Sequence, residues 1–461
     1  MLWCKKFHRK SSSTRQALLP AVIGTAVSFA ALARAATSSQ VGDVFYIALE
    51  NHNFTQPNGN VDPTSTTIEQ IKGNPAAPFI NSLITPGNPN AANVSYSAAY
   101  HNVLSTPSGN NPSIHPSEPN YVWEEGGSNF GITNDNDPYA ATGGTAALVG
   151  NNPSLSGLLS AKGIAWKSYQ EDADLTPASG TVNHPGANSL TSTVAPTNQW
   201  TVPLSSFSGT SSSYTNPYNG SNQYNFAVKH DGQLFYADAN GNGDMTTANP
   251  MVSHYAPLQQ LTTDLANNTV GRYNWITPDQ YNDMHSALAT SFTYNGVTYA
   301  AGTDAEQIAL GDNFLSKIVP EIEASSAFKN NGAIVIWNDE TEEQNSTDET
   351  ENDYSHTMTE IVISPLAKGN AYASTVNLTH SSDLKTLQEL YGVLGPTTQF
   401  LGDANSPGTN DLSDLFVPGA ITTTTTSVPL PAAAWTGIGM MGIIGLSMLC
   451  NGSRRKTSGT A

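Results

Sequence analysis

One serine in this sequence stands in a setting that favours covalent chemistry. Ser117 lies in the heptapeptide His115-Pro116-Ser117-Glu118-Pro119-Asn120-Tyr121, between two prolines that restrict the backbone. A serine hydroxyl is a weak nucleophile until a base or a metal ion lowers its proton affinity. The heptapeptide therefore predicts a nucleophile whose partners come from distant segments. His115 has two open roles, contact with the substrate or shaping of the turn before Pro116.

Acidic and amide side chains close two apolar runs that predict buried strands. Glu50 and Asn51 follow residues 44–49, and Asp339 and Glu340 come at the end of the run that starts at residue 333. Adjacent carboxylates repel each other unless a cation offsets their charge, and carboxylate and amide oxygens suit a hard divalent cation. The alternative for both pairs is a solvated strand end, or a helix cap for Glu50-Asn51.

Histidines occur in three further segments that could contribute to the same site. Asp283 and His285 stand close enough to reach one point from one loop, His230 follows Lys229, and His380 precedes two serines. Each of these histidines alone is more often a surface or capping residue. Only their combination with the strand-end carboxylates favours chemistry.

The elements that would position these residues alternate between strand and helix. Apolar runs predict strands at residues 44–49, 333–337 and 360–363. Apolar stripes predict helices at residues 155–159, 305–318 and 384–391, the last with Ser382 as its N-cap. This alternation predicts an α/β fold with a mostly parallel sheet flanked by helices, in which ligands collect at the carboxyl ends of the strands.

A polar stretch at about residues 172–250 interrupts this pattern and predicts an insertion rich in Ser, Thr, Asn and Gly. Within it, residues 238–244 (Asp-Ala-Asn-Gly-Asn-Gly-Asp) alternate oxygen-bearing side chains around a glycine, as calcium loops do. The closing glutamate is absent, because position 249 is Asn. An Asn/Gly turn and a structural calcium site both remain open interpretations.

Both ends of the chain carry processing signals. Residues 1–36 combine basic residues, an apolar run and the small-x-small motif Ala33-Arg34-Ala35, which together predict a secretory signal peptide cut by signal peptidase. A threonine-rich linker, residues 421–427, precedes the last segment, residues 428–461. That segment holds an apolar stretch long enough to span a bilayer, followed by basic residues, so the body is predicted to lie outside.

The start of the last segment, Val428-Pro429-Leu430-Pro431, resembles the bacterial sorting signal of Val-Pro-Glu-Pro type, with Leu430 in place of the glutamate. The resemblance implies an exosortase substrate that is released from the cell envelope or anchored there by its C-terminal helix. A plain membrane anchor is the alternative.

Composition excludes several classes of function. The regions outside the two ends hold nine basic and 37 acidic residues, a formal net charge of −28, which disfavours nucleic acid as a partner. Arg272 is the one arginine in this body, so an arginine clamp cannot be the main anion-binding device. Both cysteines, Cys4 and Cys450, lie in the ends, which excludes a thiol nucleophile or a disulfide in the body.

Taken in order, these blocks resemble the phosphoesterase family of acid phosphatases and non-specific phospholipases C, within the alkaline-phosphatase-like superfamily, over roughly residues 43–400. The resemblance implies Ser117 as nucleophile and metal ligand, with the other ligands of a divalent metal being Glu50, Asn51, Asp339 and Glu340. It further implies that His230, His285 and His380 are catalytic and line the phosphate pocket, and that Asn51, His115 and Asp283 bind substrate. One departure from the family pattern is Thr341, where a serine is common.

The function predicted is an exported, metal-dependent phosphomonoesterase of acid-phosphatase type that forms a phosphoserine intermediate. A sulfatase requires Cys or Ser followed by x-Pro-x-Arg, and Tyr121 stands where that arginine would be. A phospholipase C or other phosphodiesterase remains open within the enzymes. A non-catalytic matrix or polysaccharide-binding protein is the alternative from another class, favoured by the sorting signal and the polar insertion.

Overall fold

The computed structural model describes residues 40–65, 67–103, 115–138, 148–173, 200–212, 214–342 and 355–421. The strands in these ranges are β1 (Val44–Leu49), β2 (Val94–Ser97), β3 (Trp166–Gln170), β4 (Phe207–Thr210), β5 (Gln223–Phe226), β6 (Tyr255–Pro257), β7 (Tyr273–Thr277), β8 (Phe292–Tyr294), β9 (Val297–Tyr299), β10 (Ala333–Asn338), β11 (Glu360–Ile363) and β12 (Tyr372–Ser374). The helices are α1 (Pro78–Leu83), α2 (Glu118–Gly126), α3 (Leu155–Ala161), α4 (Ala237–Asn240), α5 (Gln260–Asn267), α6 (Asp304–Ala324), α7 (Ser326–Lys329) and α8 (His380–Tyr391).

An eight-stranded sheet forms the centre, in the order β12-β2-β11-β10-β1-β7-β3-β6. Strand β1 is parallel to β10 and β7, and β3 is parallel to β7 and β6. The predicted α/β fold with a mostly parallel, helix-flanked sheet is therefore confirmed. Two small antiparallel pairs, β4 with β5 and β8 with β9, lie outside this sheet.

Strand β11 departs from the expected direction. It spans the predicted residues, but it runs antiparallel to both β10 and β2. Its carboxyl end at Ser364 therefore lies at the edge of the sheet opposite to the ends of β1 and β10. The sequence did not indicate this direction, because a short apolar run has the same appearance in either direction.

Two apolar layers cover the faces of the sheet. On β1, Val44, Tyr46 and Ala48 enter one core cluster, which includes residues of α2, α3 and α8. The intervening Phe45, Ile47 and Leu49 enter the other cluster, with residues of α1, α5, α6 and α7. Alternate side chains of a strand point to opposite faces, so burial on both faces requires the unbroken apolar run that the sequence shows.

All three predicted helices are present, with one correction at the start of α8. Its N-cap is Thr379, and Ser382 is the third helical residue, whose side chain accepts a reciprocal hydrogen bond from the Thr379 backbone N–H at 3.0 Å. Thr379 and Ser382 thus form a capping box rather than a single serine cap. The prediction missed this because Ser and Thr are both common N-cap residues, and their sequence positions alone do not show which one caps the helix.

The loop at residues 238–244 contains a tight turn. Asn240 ends α4 and Gly241 follows in the left-handed conformation at φ 70°. The Asp238 carboxylate accepts from the backbone and hydroxyl of Ser154 at 3.1 and 2.8 Å, and Asp244 accepts from the Thr246 backbone N–H at 2.8 Å. These carboxylates serve different neighbours, which favours the Asn/Gly turn over the calcium site.

No helix within the described residues is long and apolar enough to cross a membrane. The predicted signal peptide, most of the linker and the sorting signal lie outside the described residues, as do residues 174–199 of the insertion. Export, processing and membrane attachment stay predictions from the sequence.

Candidate active site

The carboxyl ends of β1 and β10 bring two polar pairs together. The register places Leu49 beside Asn338, so the residues that come after each strand leave the sheet side by side. The backbone N–H of Asn51 donates to Asp339 Oδ1 at 3.1 Å. Glu50, Asp339 and Glu340 are each at most 1% exposed. The two strand-end pairs predicted from sequence therefore form one buried cluster of oxygens.

The proposed nucleophile reaches this cluster from a helix. Ser117 is the N-cap of α2, but its side chain makes no capping hydrogen bond. Its hydroxyl donates instead to Glu50 Oε2 at 2.8 Å, and it also lies 3.2 Å from Glu340 Oε1 and 3.3 Å from Asn51 Oδ1. An N-cap serine normally satisfies a backbone N–H of its own helix. The Ser117 hydroxyl instead contacts residues more than sixty positions away in sequence.

The oxygens around Ser117 exceed what its hydroxyl can satisfy. A hydroxyl has a single proton to donate, and three acceptor oxygens surround it. Turning the Asn51 amide would let its nitrogen donate to Glu50 Oε2 at 2.9 Å and Glu340 Oε1 at 3.1 Å. With the amide oxygen inward, carboxylate, amide and hydroxyl oxygens converge, which is the donor set that a hard divalent cation takes. The residues present thus fit a metal ion.

Burial perturbs the acidity of this cluster. It raises the pKa of Glu50 to about 8, an effect that the nearby Lys229 opposes and Glu340 reinforces. Burial and repulsion from Glu50 raise the pKa of Asp339 well above its usual range, and burial also raises that of Glu340. Three ionised carboxylates are unfavourable here unless protons or a cation offset their charge.

Two further residues of α2 face the same cluster. Asn120 Nδ2 donates to Glu340 Oε2 at 2.9 Å, and the Tyr121 hydroxyl donates to Glu50 Oε1. These residues stand three and four positions after Ser117 and so share its side of the helix. Helix α2 therefore presents a nucleophile and two hydrogen-bond donors to the carboxylates. In the sequence, Tyr121 was noted only for replacing the arginine of a sulfatase.

His230 lies beneath the cluster and connects it to another strand end. Its Nδ1 is 3.1 Å from Asp283 Oδ2 and its Nε2 is 3.2 Å from Glu50 Oε1, with all three residues at most 1% exposed. Their ligand atoms lie within 4.8 Å of one another, close enough to hold a metal ion. Burial and the charge of Lys229 lower the pKa of His230 well below its usual range. The imidazole is therefore neutral, which is the form that acts as a metal ligand.

A cavity of about 430 Å³ opens above Ser117. Of the predicted residues, it is lined by Asn51, His115, Ser117, His285 and Glu340. His115 Nδ1 lies 3.1 Å from Glu340 Oε1. Burial and Lys229 lower the pKa of His285 to about 4. Asp283 does not line the cavity; its Oδ1 accepts from the backbone N–H of His285 at 2.8 Å and so positions that loop.

His380 is placed differently from the expectation. It is the first residue of α8, fully buried, with Nε2 3.4 Å from the carbonyl oxygen of Asn338. Its ring packs edge-on against Trp337 and Tyr100. The residue thus lies behind the strand end that carries Asp339, and it is not among the cavity-lining residues. Its position suits support of that strand end rather than contact with a substrate.

Several cavity-lining residues were not singled out from sequence. They are His52, Asp135, Lys229, Met284, Gln307 and Glu342. Lys229 is the one that a signal in the sequence could have indicated, because it directly precedes His230. The others stand in loops or, for Gln307, in the first turn of α6, and their approach to the site depends on the tertiary fold.

A second buried acidic group, Glu171, Asp172 and Asp279, was also missed. Their ligand atoms lie within 4.8 Å of one another at the carboxyl ends of β3 and β7. Glu171 accepts from the side chains of Asn216 and Asn282 at 2.9 and 2.8 Å and from the backbone N–H of Asp279 at 2.9 Å. None of the three acidic residues lines the cavity. The signal in the sequence was the adjacent Glu171-Asp172 pair.

The α/β sheet thus presents a serine to carboxylate and amide oxygens at its strand ends, a set of groups that could hold a metal ion beside a nucleophile. A family model described as the Phosphoesterase family matches residues 90–394, well over half of the chain. The chain belongs to the Phosphoesterase family, which confirms the class of enzyme predicted from sequence.

Individual relatives are more distant. An acid phosphatase of Aspergillus fumigatus is 27% identical over 176 residues, which are 38% of this chain and 29% of that protein. A protein in the alkaline phosphatase superfamily from Vibrio parahaemolyticus matches at 10% identity and a TM-score of 0.42, covering 80% of this chain and 71% of the other. The lipoteichoic acid synthase LtaP from Listeria monocytogenes matches at 11% identity and a TM-score of 0.41, covering 80% and 77%.

Proposed function

We propose that this chain is an exported, metal-dependent phosphomonoesterase of acid-phosphatase type in which Ser117 attacks phosphorus. The observation that carries the proposal is the Ser117 hydroxyl at 2.8 to 3.3 Å from oxygens of Glu50, Glu340 and Asn51 beside an open cavity. The acid phosphatase relative supports the choice of monoesters. The predicted signal peptide and sorting signal support export, with signal peptidase and an exosortase as processing partners.

The metal-holding residues would be Glu50, Asn51, Ser117, Asp339 and Glu340. A bound divalent cation supplies Lewis acidity, which lowers the proton affinity of a serine oxygen and offsets the charge of a phosphoryl group. Asp339 would be oriented by the Asn51 backbone and Glu340 by the Asn120 side chain. These hydrogen bonds hold the carboxylates in place before a substrate enters.

The reaction follows from the contacts of Ser117. Its hydroxyl proton passes to Glu50 Oε2 as Oγ bonds to phosphorus, and the bond from phosphorus to the ester oxygen breaks. A cavity histidine, His115 or His285, donates a proton to the leaving alkoxide. A water oxygen then bonds to the phosphorus of the phosphoserine and gives a proton to that histidine. The bond from phosphorus to Ser117 Oγ breaks, and Oγ regains its proton from Glu50. Phosphate leaves and every group is restored.

The histidines support the acid character of the enzyme. The pKa of His285, lowered to about 4 by burial and Lys229, makes this residue a proton donor only in acidic solution. General-acid catalysis works best when the pKa of the donor lies near the working pH. Activity that depends on protonated His285 would therefore rise as the pH falls toward 4, where a bound cation would have to keep Glu50 ionised, because burial raises the Glu50 pKa to about 8.

The test is hydrolysis of p-nitrophenyl phosphate by the purified protein with a series of divalent cations. We expect turnover that a chelator removes, and a decrease in kcat/KM of about 10³-fold or more in Ser117→Ala, because the nucleophile is lost. Ser316→Ala is the matched control, since the Ser316 hydroxyl donates to the Asn313 carbonyl within α6, away from the cavity.

The remaining outcomes separate the alternatives. No turnover of monoesters or diesters with any cation would falsify the enzyme assignment and favour a matrix or polysaccharide-binding protein. Turnover of bis-p-nitrophenyl phosphate or phosphatidylcholine without turnover of the monoester would replace the phosphomonoesterase by a phosphodiesterase or phospholipase C. Activity retained in Ser117→Ala would exclude the phosphoserine route.

A further inference from the structure

The cavity above Ser117 is strongly acidic. Asp135, Glu340 and Glu342 line it, and Glu50 and Asp339 lie directly beneath. Among the described residues that line it, Lys229 is the one lysine or arginine. Arg272 lies elsewhere, 3.1 Å from Asp43, with 45% of its side chain exposed. A second cation, His52, also lines the cavity: burial lowers its pKa, but the charges of Glu342 and Asp304 outweigh burial and raise it to about 10. Its Nε2 is engaged by Asp304 at 2.9 Å and lies 3.8 Å from Glu342, so Lys229 is the lysine charge that an incoming anion meets beside Ser117.

Lys229 is tied to the helix that carries the nucleophile. Its Nζ lies 2.7 Å from Asp135 Oδ2, and Asp135 Oδ1 accepts from the backbone N–H of Glu118 at 3.1 Å. Glu118 directly follows Ser117. The turn that bears Lys229 also packs against α2, since Gly232 leaves no room for a Cβ beside the carbonyl oxygen of Tyr121. The ammonium and the serine thus hold a fixed relation to each other.

The ammonium retains capacity for a ligand. The Lys229 side chain is 15% exposed. Among the described residues, its ammonium donates a hydrogen bond to Asp135. An ammonium has several N–H donors. Burial lowers the pKa of Lys229, but the charges of Glu50 and Asp135 outweigh burial and raise it, so the side chain stays protonated. A partly buried charge also interacts more strongly than an exposed one.

Phosphate esters differ in the charge that they bring to such a group. A monoester has a second pKa of about 6, so above that pH it carries two anionic charges on its terminal oxygens. In a diester one of these oxygens bears carbon instead, and a single charge remains. Carboxylates around the cavity repel the doubly charged monoester more strongly, so the monoester gains most from an additional cation.

We propose that Lys229 selects phosphomonoesters over phosphodiesters by binding the additional terminal oxygen that only a monoester carries and that is anionic above pH about 6, an inference that rests on the proposed function. Asp135 holds the ammonium beside Ser117 while the substrate is absent. Lys229 then binds the substrate anion, because Arg272, the one arginine of the body, does not line the cavity.

The experiment compares kcat/KM for p-nitrophenyl phosphate and bis-p-nitrophenyl phosphate in the full-length protein and in Lys229→Met. We expect kcat/KM for the monoester to fall about 10²-fold and the ratio of monoester to diester to fall at least about tenfold, because one charged hydrogen bond is lost. The decrease should be largest above pH about 6, where the monoester is doubly charged. Lys229→Arg should restore most of the ratio.

Lys167→Met is the matched control. Lys167 forms a partly buried ion pair with Asp264 and does not line the cavity, so its loss should leave the ratio unchanged. If Lys229→Met does not fold, Lys229→Gln keeps a polar side chain of similar size, and inhibition by inorganic phosphate above pH about 6 provides a second readout. Weaker inhibition in the variant supports the role of Lys229.

Two results have different meanings. Failure of the wild-type protein to hydrolyse the monoester overturns the proposed function and the selection by Lys229 with it. An active wild type whose Lys229 variants lose monoester and diester turnover equally, or retain the ratio at every pH, overturns the selection by Lys229 alone.

Discussion

Two buried acidic clusters at the same edge of the sheet differ in what surrounds them. The first joins the ends of β1 and β10 and contains Glu50, Asp339 and Glu340. The second joins the ends of β3 and β7 and contains Glu171, Asp172 and Asp279. In both clusters, burial raises the pKa of the leading glutamate to about 8. Burial and repulsion alone therefore do not distinguish a reactive site from a structural one.

The difference lies in the donors. Asn216, Asn282, backbone N–H groups and the Tyr214 hydroxyl satisfy the second cluster. Amides do not exchange protons with their acceptors at neutral pH, and burial and the charge of Asp172 raise the pKa of Tyr214, so its phenol keeps its proton. The first cluster is contacted by the hydroxyl of Ser117 and the imidazoles of His115 and His230, and its cavity admits a substrate. Groups that transfer protons beside an opening make an acidic cluster suitable for catalysis.

The largest expected effect comes from substituting Glu50 of the first cluster, with Glu171 of the second cluster as the comparison. Glu50→Gln should lower kcat/KM for p-nitrophenyl phosphate about 10³-fold and weaken binding of the activating cation, because a metal ligand and a proton acceptor are lost. Glu171→Gln should leave kcat/KM within about threefold of wild type, since Glu171 contacts neither Ser117 nor the cavity. Steady-state kinetics and calorimetric metal titration measure both. Equal losses in the two variants would end the distinction between the clusters.

The next effect is the pH dependence of stability in the second cluster. Burial, together with repulsion from Asp172, raises the pKa of Glu171 from 4.5 to about 8. The folded protein binds the Glu171 proton more tightly than the unfolded chain does. Protonated Glu171 therefore contributes stability that is fully present below pH 4.5 and is lost as the pH rises through 8. Thermal unfolding with a chelator should show a steeper decrease of Tm from about pH 5 to about pH 8 in wild type than in Glu171→Gln. Parallel Tm profiles would show that Glu171 does not hold the proton.

The smallest effect separates two tyrosines that each donate to a cluster. Tyr121 donates to Glu50, and Tyr214 donates to Asp172. Tyr121→Phe should lower kcat/KM several-fold because Glu50 loses a donor that fixes its carboxylate. Tyr214→Phe should leave kcat/KM unchanged and lower stability by about 1 kcal/mol, the net value of one hydrogen bond. Denaturant unfolding and kinetics on both variants check this, and reversed effects would contradict the comparison.

The first cluster was predictable from sequence because its strands are unbroken apolar runs. Each apolar run is followed by acidic residues, Glu50 after residues 44–49 and Asp339 after the second run, so the end of each strand is visible in the sequence. Parallel strands bring those ends together. Strand β3 has the sequence Trp-Lys-Ser-Tyr-Gln, without an apolar run, so the Glu171-Asp172 pair did not stand out as a strand end. The antiparallel direction of β11 and the position of His380 behind β10 depend on pairings between distant segments, which local patterns do not contain.

Helix α2 limits how this enzyme can change over evolution. Ser117, Asn120 and Tyr121 face the carboxylates, while on α2 the indole of Trp123 donates to Ser381 of α8 at 2.9 Å. An insertion of one residue inside α2 rotates the rest of the helix by about 100° and removes these contacts together. New substrate preferences can arise one substitution at a time at cavity-lining residues outside α2, such as Gln307. Insertions inside α2 are therefore expected to abolish activity.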